Sequence, residues 1–425
     1  MHFGNGWLLT FAAIFVVNTY LLVHLALTDF KRGRFRKTAV LAIVFAVLMA
    51  LLVFYFNRFF GGDSYRAYMR PLAYIAGFYM CLSFYSSGIF FFSDTGRGII
   101  RLIRRIKSGR PRGAEDEELP APDMNEGSAF EGEGVLESPQ AGSAMAGEKK
   151  PRKRALPKVY SARFTLLTIV LSTLLALAAF YTPGHITVTE YALGLPRRES
   201  ELKGLRVAFI SDSHIGPSVR EKELDDIVEK TNALNPDIVL LGGDIVDEGT
   251  PDSLKQYMSE SFSGFKSKYG TYFIMGNHDD YRGDREKTLF YIKKAGIRYL
   301  LDETVLIDGK FYLIGRDDRR SLRVPLQTLE AQATQDLPVI LFDHRPVVED
   351  LRNSEIVELQ LSGHTHDGQI FPFHVLDPFK LFSPQYGLYE KGGNEIIVSS
   401  GVGEYAVPSR LGSPSEIVFV DITFE

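Results

Sequence analysis

A single cysteine, Cys81, stands among the 425 residues. No internal disulfide is possible, and a disulfide-stapled secreted domain is excluded. Excess charge of one sign is also missing: 48 Lys and Arg face 52 Asp and Glu. That balance implies no nucleic-acid partner. No internal repeat is visible. Charged residues are absent altogether from four apolar segments, Trp7 to Leu27, Thr38 to Phe56, Leu72 to Phe92 and Phe164 to Tyr181. A bilayer requires about 20 residues, so each is long enough to cross one. The first has no positive charge before it and no small-residue cleavage site, so it does not fit a signal peptide. The only Asp, Glu, Lys, Arg or His in any of the four is His24, which leaves a transporter unsupported.

What surrounds these segments sets an orientation. Residues 28–37 hold Lys31, Arg32, Arg34, Arg36 and Lys37, and 93–163 hold two further basic clusters. Residues 57–70 hold only Arg58, Arg66 and Arg70. Basic loops stay in the cytoplasm. The bias therefore predicts a multi-pass protein of the inner (cytoplasmic) membrane, with everything after Tyr181 on the periplasmic or extracellular side. Residues 97–107 alternate Ile and Leu with Arg and Lys, which fits either a helix lying on an anionic membrane surface or an extension of the third span. Residues 109–148 are rich in Gly, Pro, Ala, Glu and Ser, a composition too poor in large apolar residues for a core; they are expected to be a disordered linker. The expected organisation is three spans over 1–92, a cytoplasmic linker over 93–162, a fourth span over 163–184, and one domain over 185–425.

That last domain holds five short motifs: Ser211-Asp212-Ser213-His214, Gly243-Asp244-Ile245-Val246-Asp247, Gly276-Asn277-His278-Asp279, Asp343-His344 and Gly363-His364-Thr365-His366. The chain has nine histidines, and more than half fall in these motifs. Each motif follows a short apolar run that predicts a buried strand, such as Val207 to Ile210 or Val339 to Phe342. Side chains just past strand ends converge on one edge of an α/β sheet. Asp, His and Asn without cysteine form an oxygen and nitrogen ligand set for divalent ions. Asp212 and His214, two apart, are expected to point the same way from an extended strand end, as are His364 and His366. Helices are expected near 219–233 and 251–264, and Asp308-Gly309 predicts a hairpin.

Taken in order over residues 205–370, the five motifs resemble the calcineurin-like metallophosphoesterases. Ser399 to Gly403, Pro408-Ser409-Arg410 and Gly368-Gln369-Ile370 look like that family's bacterial secreted or membrane-tethered branch, from which Asp367 departs by standing where glycine is usual. The resemblance implies an α/β fold, a four-layer α/β/β/α sandwich, here preceded by a four-helix transmembrane region. It implies two divalent ions (Mn, Zn, Fe or Mg). Asp212, His214 and His366 would hold one, Asn277, His344 and His364 the other, with Asp244 bridging. It implies hydrolysis of a phosphate ester by hydroxide held between the ions. His278 would act at the leaving group, oriented by Asp247 or by Asp279, and Arg410 would contact substrate.

Asp280, Asp317 and Asp318 are expected in turns, and Asp367 in a solvated loop. His24 and His185 carry no expected role, and Asn353 has phosphate contact or a plain surface position open to it. The aromatic stretch from Phe371 to Phe382 is open to two readings, ordinary packing or an apolar wall that dips into the bilayer. Membrane anchoring favours a phosphoester substrate that is lipid-linked or part of the cell envelope. Two alternatives stand beside this function. A nucleotide-linked glycolipid pyrophosphate hydrolase would need the site on the cytoplasmic face. A non-catalytic metal-binding sensor would be expected to have lost ligands, and none is missing.

Overall fold

The computed structural model describes residues 63–108 and 160–425, with gaps at 217–220, 248–249, 281–284, 319–322, 348–353, 377–384, 392 and 406, and eight positions between 17 and 29. The expected second span, the linker 109–148, Asn353 and Pro378 to Phe382 lie outside the described residues.

Two helices precede the domain: α1 (Asp63–Ser108) and α2 (Ala162–Tyr181). Both are long and apolar enough to cross a membrane. The first expected span is described at only a few positions, which are helical. The described residues thus show two such helices, where the sequence led us to expect four. The helices run antiparallel, with Phe78 near Phe180 and Phe90 near Phe164. The buried stripe of α2 is Thr165, Thr168, Ser172, Ala176 and Ala179, while Leu166, Leu167, Leu171, Leu174 and Leu177 are exposed. A soluble helix would bury its leucines. Small residues at the helix contact and large apolar ones outside are the membrane pattern. Helix α1 is unbroken through Arg97–Lys107, so this stretch continues the helix of the third apolar segment.

The domain begins at β1 (Ile186–Leu195) and β2 (Gly204–Ile210). Next come α3 (Glu221–Ala233), β3 (Ile238–Leu241), α4 (Asp252–Phe262), β4 (Thr271–Phe273), α5 (Arg285–Lys294) and β5 (Arg298–Tyr299). Then follow β6 (Glu303–Ile307), β7 (Phe311–Gly315), α6 (Leu326–Glu330), β8 (Val339–Phe342) and β9 (Val357–Ser362). A short α7 (Phe373–Leu376), β10 (Gly387–Lys391), β11 (Asn394–Val398) and β12 (Ser415–Phe424) complete it. Two six-stranded sheets result, β1-β12-β2-β3-β4-β5 and β10-β11-β9-β8-β7-β6. The runs β2 to β5 and β7-β8-β9-β11 are parallel. The predicted hairpin joins β6 to β7, with Asp308 and Gly309 left-handed.

Residues of these strands are apolar on both faces because both faces are covered. Phe209, Leu240, Ile274, Leu313, Phe342 and Leu361 pack between the sheets. On the far side of the first sheet, Ile210, Leu241 and Phe273 meet Leu224, Leu254 and Ile292 of α3, α4 and α5. On the far side of the second, Ile314 and Leu341 meet Leu326 and Leu329 of α6. The domain is a mixed α/β fold of two facing sheets with helices outside. The parallel strands of both sheets end at one rim, and the five motifs follow those ends.

Candidate metal centre

The motif loops hold one another across the two sheets. Asp212, after β2, accepts from the backbone N–H of His364, after β9, at 3.1 and 3.0 Å. Asp244, after β3, accepts from the N–H of His278 at 2.7 Å. Asp279 accepts from the amides of Asp244, Ile245, Val246 and Gly276 at 2.7 to 3.0 Å. Its carboxylate is fully engaged in tying β3 to β4, so it does not orient His278.

Among the described residues the donor atoms converge in three groups, of which His214, Asp247 and His278 form the outermost, sharing His214 with one of the two deeper groups. Of the deeper two, Asp212, His214 and His366 form one; Asp244, His344 and His364 form the other. In the first, His214 Nε2 lies 3.0 Å from His366 Nε2, and Asp212 Oδ1 is 4.0 and 3.5 Å from the two. In the second, His344 Nε2 lies 3.2 Å from His364 Nδ1 and 3.1 Å from Asp244 Oδ2. The same Asp244 oxygen is 3.8 Å from His214 Nε2, so this carboxylate faces both deeper groups. Ligands bonded at about 2.0–2.2 Å to one ion lie roughly 3 Å apart when adjacent and up to about 4.4 Å when opposed, so both donor sets fit a divalent cation. The other ring nitrogens are anchored as metal ligands require. His344 Nδ1 donates to the Gly242 carbonyl at 2.9 Å, and His214 Nδ1 to Asp247 at 2.8 Å.

Two expectations about geometry need correction. Asp212, His214, Asp244, His364 and His366 all have positive φ. The paired ligands converge from left-handed turns just beyond the strands, not from extended strand ends. Such backbone costs on the order of 1–3 kcal/mol per residue and gathers at functional sites. Arg410, expected at the substrate, is completely buried. Its guanidinium donates to the carbonyls of Ser400, Gly401, Gly403 and Pro414 and lies 3.3 Å from His366 Nδ1. Those carbonyls take up its two terminal nitrogens, so it backs the candidate ligand loop from behind.

Asp247 sits between two rings, at 2.8 Å from His214 Nδ1 and 3.6 Å from His278 Nδ1. Its direct hydrogen bond is to His214. Asn277 Oδ1 accepts from Arg345 at 3.1 Å. Arg345 is in turn clamped by Asp318 at 2.6 and 2.9 Å, while Asp317 pairs with Arg285. These aspartates are ion-pair partners, not turn formers alone. Asp367 is buried, not solvated. Sequence analysis missed Arg345, although its place directly after His344 is a signal: a cation beside a ligand. It also missed Tyr405, whose ring lies 4.8 Å from His278 and 5.4 Å from His214. No spacing connects Tyr405 to the motifs.

Charge follows burial and neighbours. Burial lowers His214, but Asp247, Asp244 and Asp212 outweigh it and push the ring up to about 9. His344 likewise rises to about 10, chiefly through Asp244. Burial and the neighbouring His344 and Arg345 depress His364 to about 3. Burial, His214 and Arg410 hold His366 well below the usual range. Each histidine pair therefore shares one proton, and the Asp244 carboxyl is held ionised, well below its ordinary value, by the histidines around it.

The comparisons with known proteins bear on this geometry. A profile described as calcineurin-like phosphoesterase matches residues 205–368. An uncharacterized metallophosphoesterase of Campylobacter jejuni is 33% identical over 270 residues, 61% of this chain and 69% of the relative. The chain belongs to the calcineurin-like phosphoesterase family. Another family member, from Aquifex aeolicus, is 33% identical over 225 residues, 51% of this chain and 85% of its own. A zebrafish relative named as a transmembrane protein with metallophosphoesterase domain is 32% identical over 275 residues. The match takes in 60% of this chain and 62% of that protein's length. Family membership supports a phosphoester hydrolase with two metal ions.

Proposed function

We propose that this chain is a membrane-anchored, dinuclear metal-dependent phosphoesterase of the cell envelope. The observation that carries the reading is Asp244, whose carboxylate faces both buried donor groups. In this reading Asp212, His214 and His366 hold one ion, Asn277, His344 and His364 the other, and Asp244 both. When bound, two such ions neutralise phosphoryl oxygens and make water acidic enough to attack near neutral pH. The chain's own residues then do the rest. Water that has released one proton to solvent forms the new P–O bond as the ester P–O bond breaks, and the departing alkoxide takes a proton from His278, which solvent then restores. Asp247, 3.6 Å from the His278 Nδ1, stands on the far side of the ring. Arg345, held by Asp318 at the edge of the site, offers its guanidinium to the phosphoryl oxygens. The domain limits of the sequence analysis and its orientation, with the site outside the cytoplasm, are part of the proposal. They are supported by the apolar helices and the basic bias of the loops.

One paired experiment tests it. Purified full-length protein is expected to carry about two metals per chain by elemental analysis and to hydrolyse model esters. Asp244→Ala is expected to lose both metals. His278→Asn is expected to keep them and to lose turnover by about 10²–10⁴, less for esters with good leaving groups such as nitrophenol. Full metal content in Asp244→Ala, or metal loss in His278→Asn, would contradict these roles.

A further inference from the structure

The helix pair and the metal centre are not separate bodies. The loop from Tyr405 to Leu411 is seated on α1 and α2. The N–H of Arg410 donates to the carbonyl of Ala179, in the last turn of α2, at 2.8 Å. Ser409 Oγ lies 3.5 Å from Cys81 Sγ. A Cβ added at Gly77 would stand 2.8 Å from a methyl of Val407 and 3.2 Å from the ring of Phe180, so backbone and loop touch there. Ile370, Val407 and Leu411 pack with Cys81, Tyr85 and Ala176. On the other side of the loop, one arginine side chain leads to His366, and Tyr405 lies over His214 and His278.

Those helix positions fix the depth of the site. Gly77 and Ala179 lie inside the apolar stretches expected to cross the bilayer, each near the same end. Only residues 182–185 separate α2 from β1, and four residues reach at most about 14 Å. The domain cannot lift away from the surface. Beside the last ligand pair, Phe371 and Phe373 are 42% and 51% exposed, and the Phe373 ring sits 5.3 Å from Phe84 of α1. Phe84 lies well inside the apolar stretch Leu72 to Phe92, so the exposed phenyl rings reach the level of the acyl chains, where apolar surface is favourably buried.

We infer that the site takes a phosphoester carried by a membrane lipid, presented from the headgroup layer, with the apolar part of the substrate remaining in the bilayer along Phe371, Phe373 and Phe84. This rests on the phosphoesterase reading and adds the class of substrate. A soluble ester would have to find a site pressed against the membrane. A lipid ester diffuses in the plane in which the site already lies.

The test uses the full chain, metal-loaded, in phosphatidylcholine vesicles. The probes are dioleoyl phosphatidic acid and dioleoyl phosphatidylglycerol in the vesicle, with glycerol 3-phosphate and bis(4-nitrophenyl) phosphate in solution. At least one lipid ester is expected to be cleaved in preference to its soluble counterpart, at a rate that follows its mole fraction in the surface and not its bulk concentration. Phe371→Ser with Phe373→Ser is expected to lower the ratio of lipid to soluble activity by about tenfold. An independent readout places the loop: in Trp7→Phe/Phe371→Trp the new indole, then the chain's only tryptophan, is expected to be quenched by lipid spin-labelled on its acyl chains. Cleavage of soluble esters alone, or an indole indifferent to spin-labelled lipid, overturns the inference and leaves the phosphoesterase reading standing. Cleavage of neither class by metal-loaded protein overturns both.

Discussion

Gly363 precedes a ligand pair because nothing larger fits. A Cβ there would lie 2.0 Å from Ser211 Oγ and 2.2 Å from Asp212 Oδ2; at Gly276 it would lie 2.2 Å from Asp244 Oδ1. The glycines of these motifs give the carboxylates room, and the left-handed residues around them turn the side chains inward. The Asp and His residues that converge at the rim were therefore legible in the sequence, since the chemistry dictates residue type. Backbone conformation was not, because φ at Asp212 or His366 is imposed by the loops packed around it. Arg410 shows the limit in another way. An arginine in a loop near a phosphate site has the right chemistry for substrate, and only its burial assigns it elsewhere. The shared protons lead to a prediction at this scale. His214 and His344, at about 9 and 10, hold protons at pH 7.5, whereas a metal ligand must be neutral. Adding divalent ions to chelator-stripped protein is expected to release protons, and apparent metal affinity to rise with pH up to the region of pH 9 to 10. Calorimetry in two buffers of different ionisation enthalpy measures the release; identical heats would contradict it.

Elements differed in how well their pattern announced them. Helix α3 was plain from its one-sided stripe of Leu224, Ile227 and Val228. Helix α5 escaped notice, because it buries only Thr288 and Ile292, and its run Leu289-Phe290-Tyr291-Ile292 is an equally good strand signal. Helix α2 was found by length and apolarity, but its inverted packing became visible only against α1. The loop that joins spans to site has its own clasp in Gln369. Its Nε2 donates to the carbonyls of Tyr405, Val407 and Ser409 at 3.1 to 3.2 Å, and its Oε1 accepts from the Tyr405 amide at 2.9 Å. Gln369→Leu keeps the volume and removes all four bonds. The cost is expected to be about 1–3 kcal/mol for each buried group left unpaired, read as a lowered unfolding midpoint. Because Tyr405 is displaced from His278 and His214, turnover is expected to fall as well. Unchanged midpoint and turnover would mean that the loop holds its shape without the clasp.

At the scale of the whole molecule, loop charge and helix placement make one statement about sidedness. Helix α2 ends where the domain begins, so a reporter enzyme active only after export, fused after residue 190, is expected to be active. Activity confined to a cytoplasm-only reporter at that point would invert the arrangement and favour the nucleotide-linked glycolipid hydrolase. Sheet order adds a matter of timing. Strand β12 lies between β1 and β2, and its Ser415 stands opposite Ile186, roughly 230 positions earlier in the chain. At a synthesis rate of about 5–20 residues per second, β1 waits on the order of ten to forty-five seconds for its partner. By then α2 has long been available for insertion. In the proposed arrangement the domain is thus committed to a side of the membrane while still an open chain, and the two candidate donor groups come together only after any crossing is over.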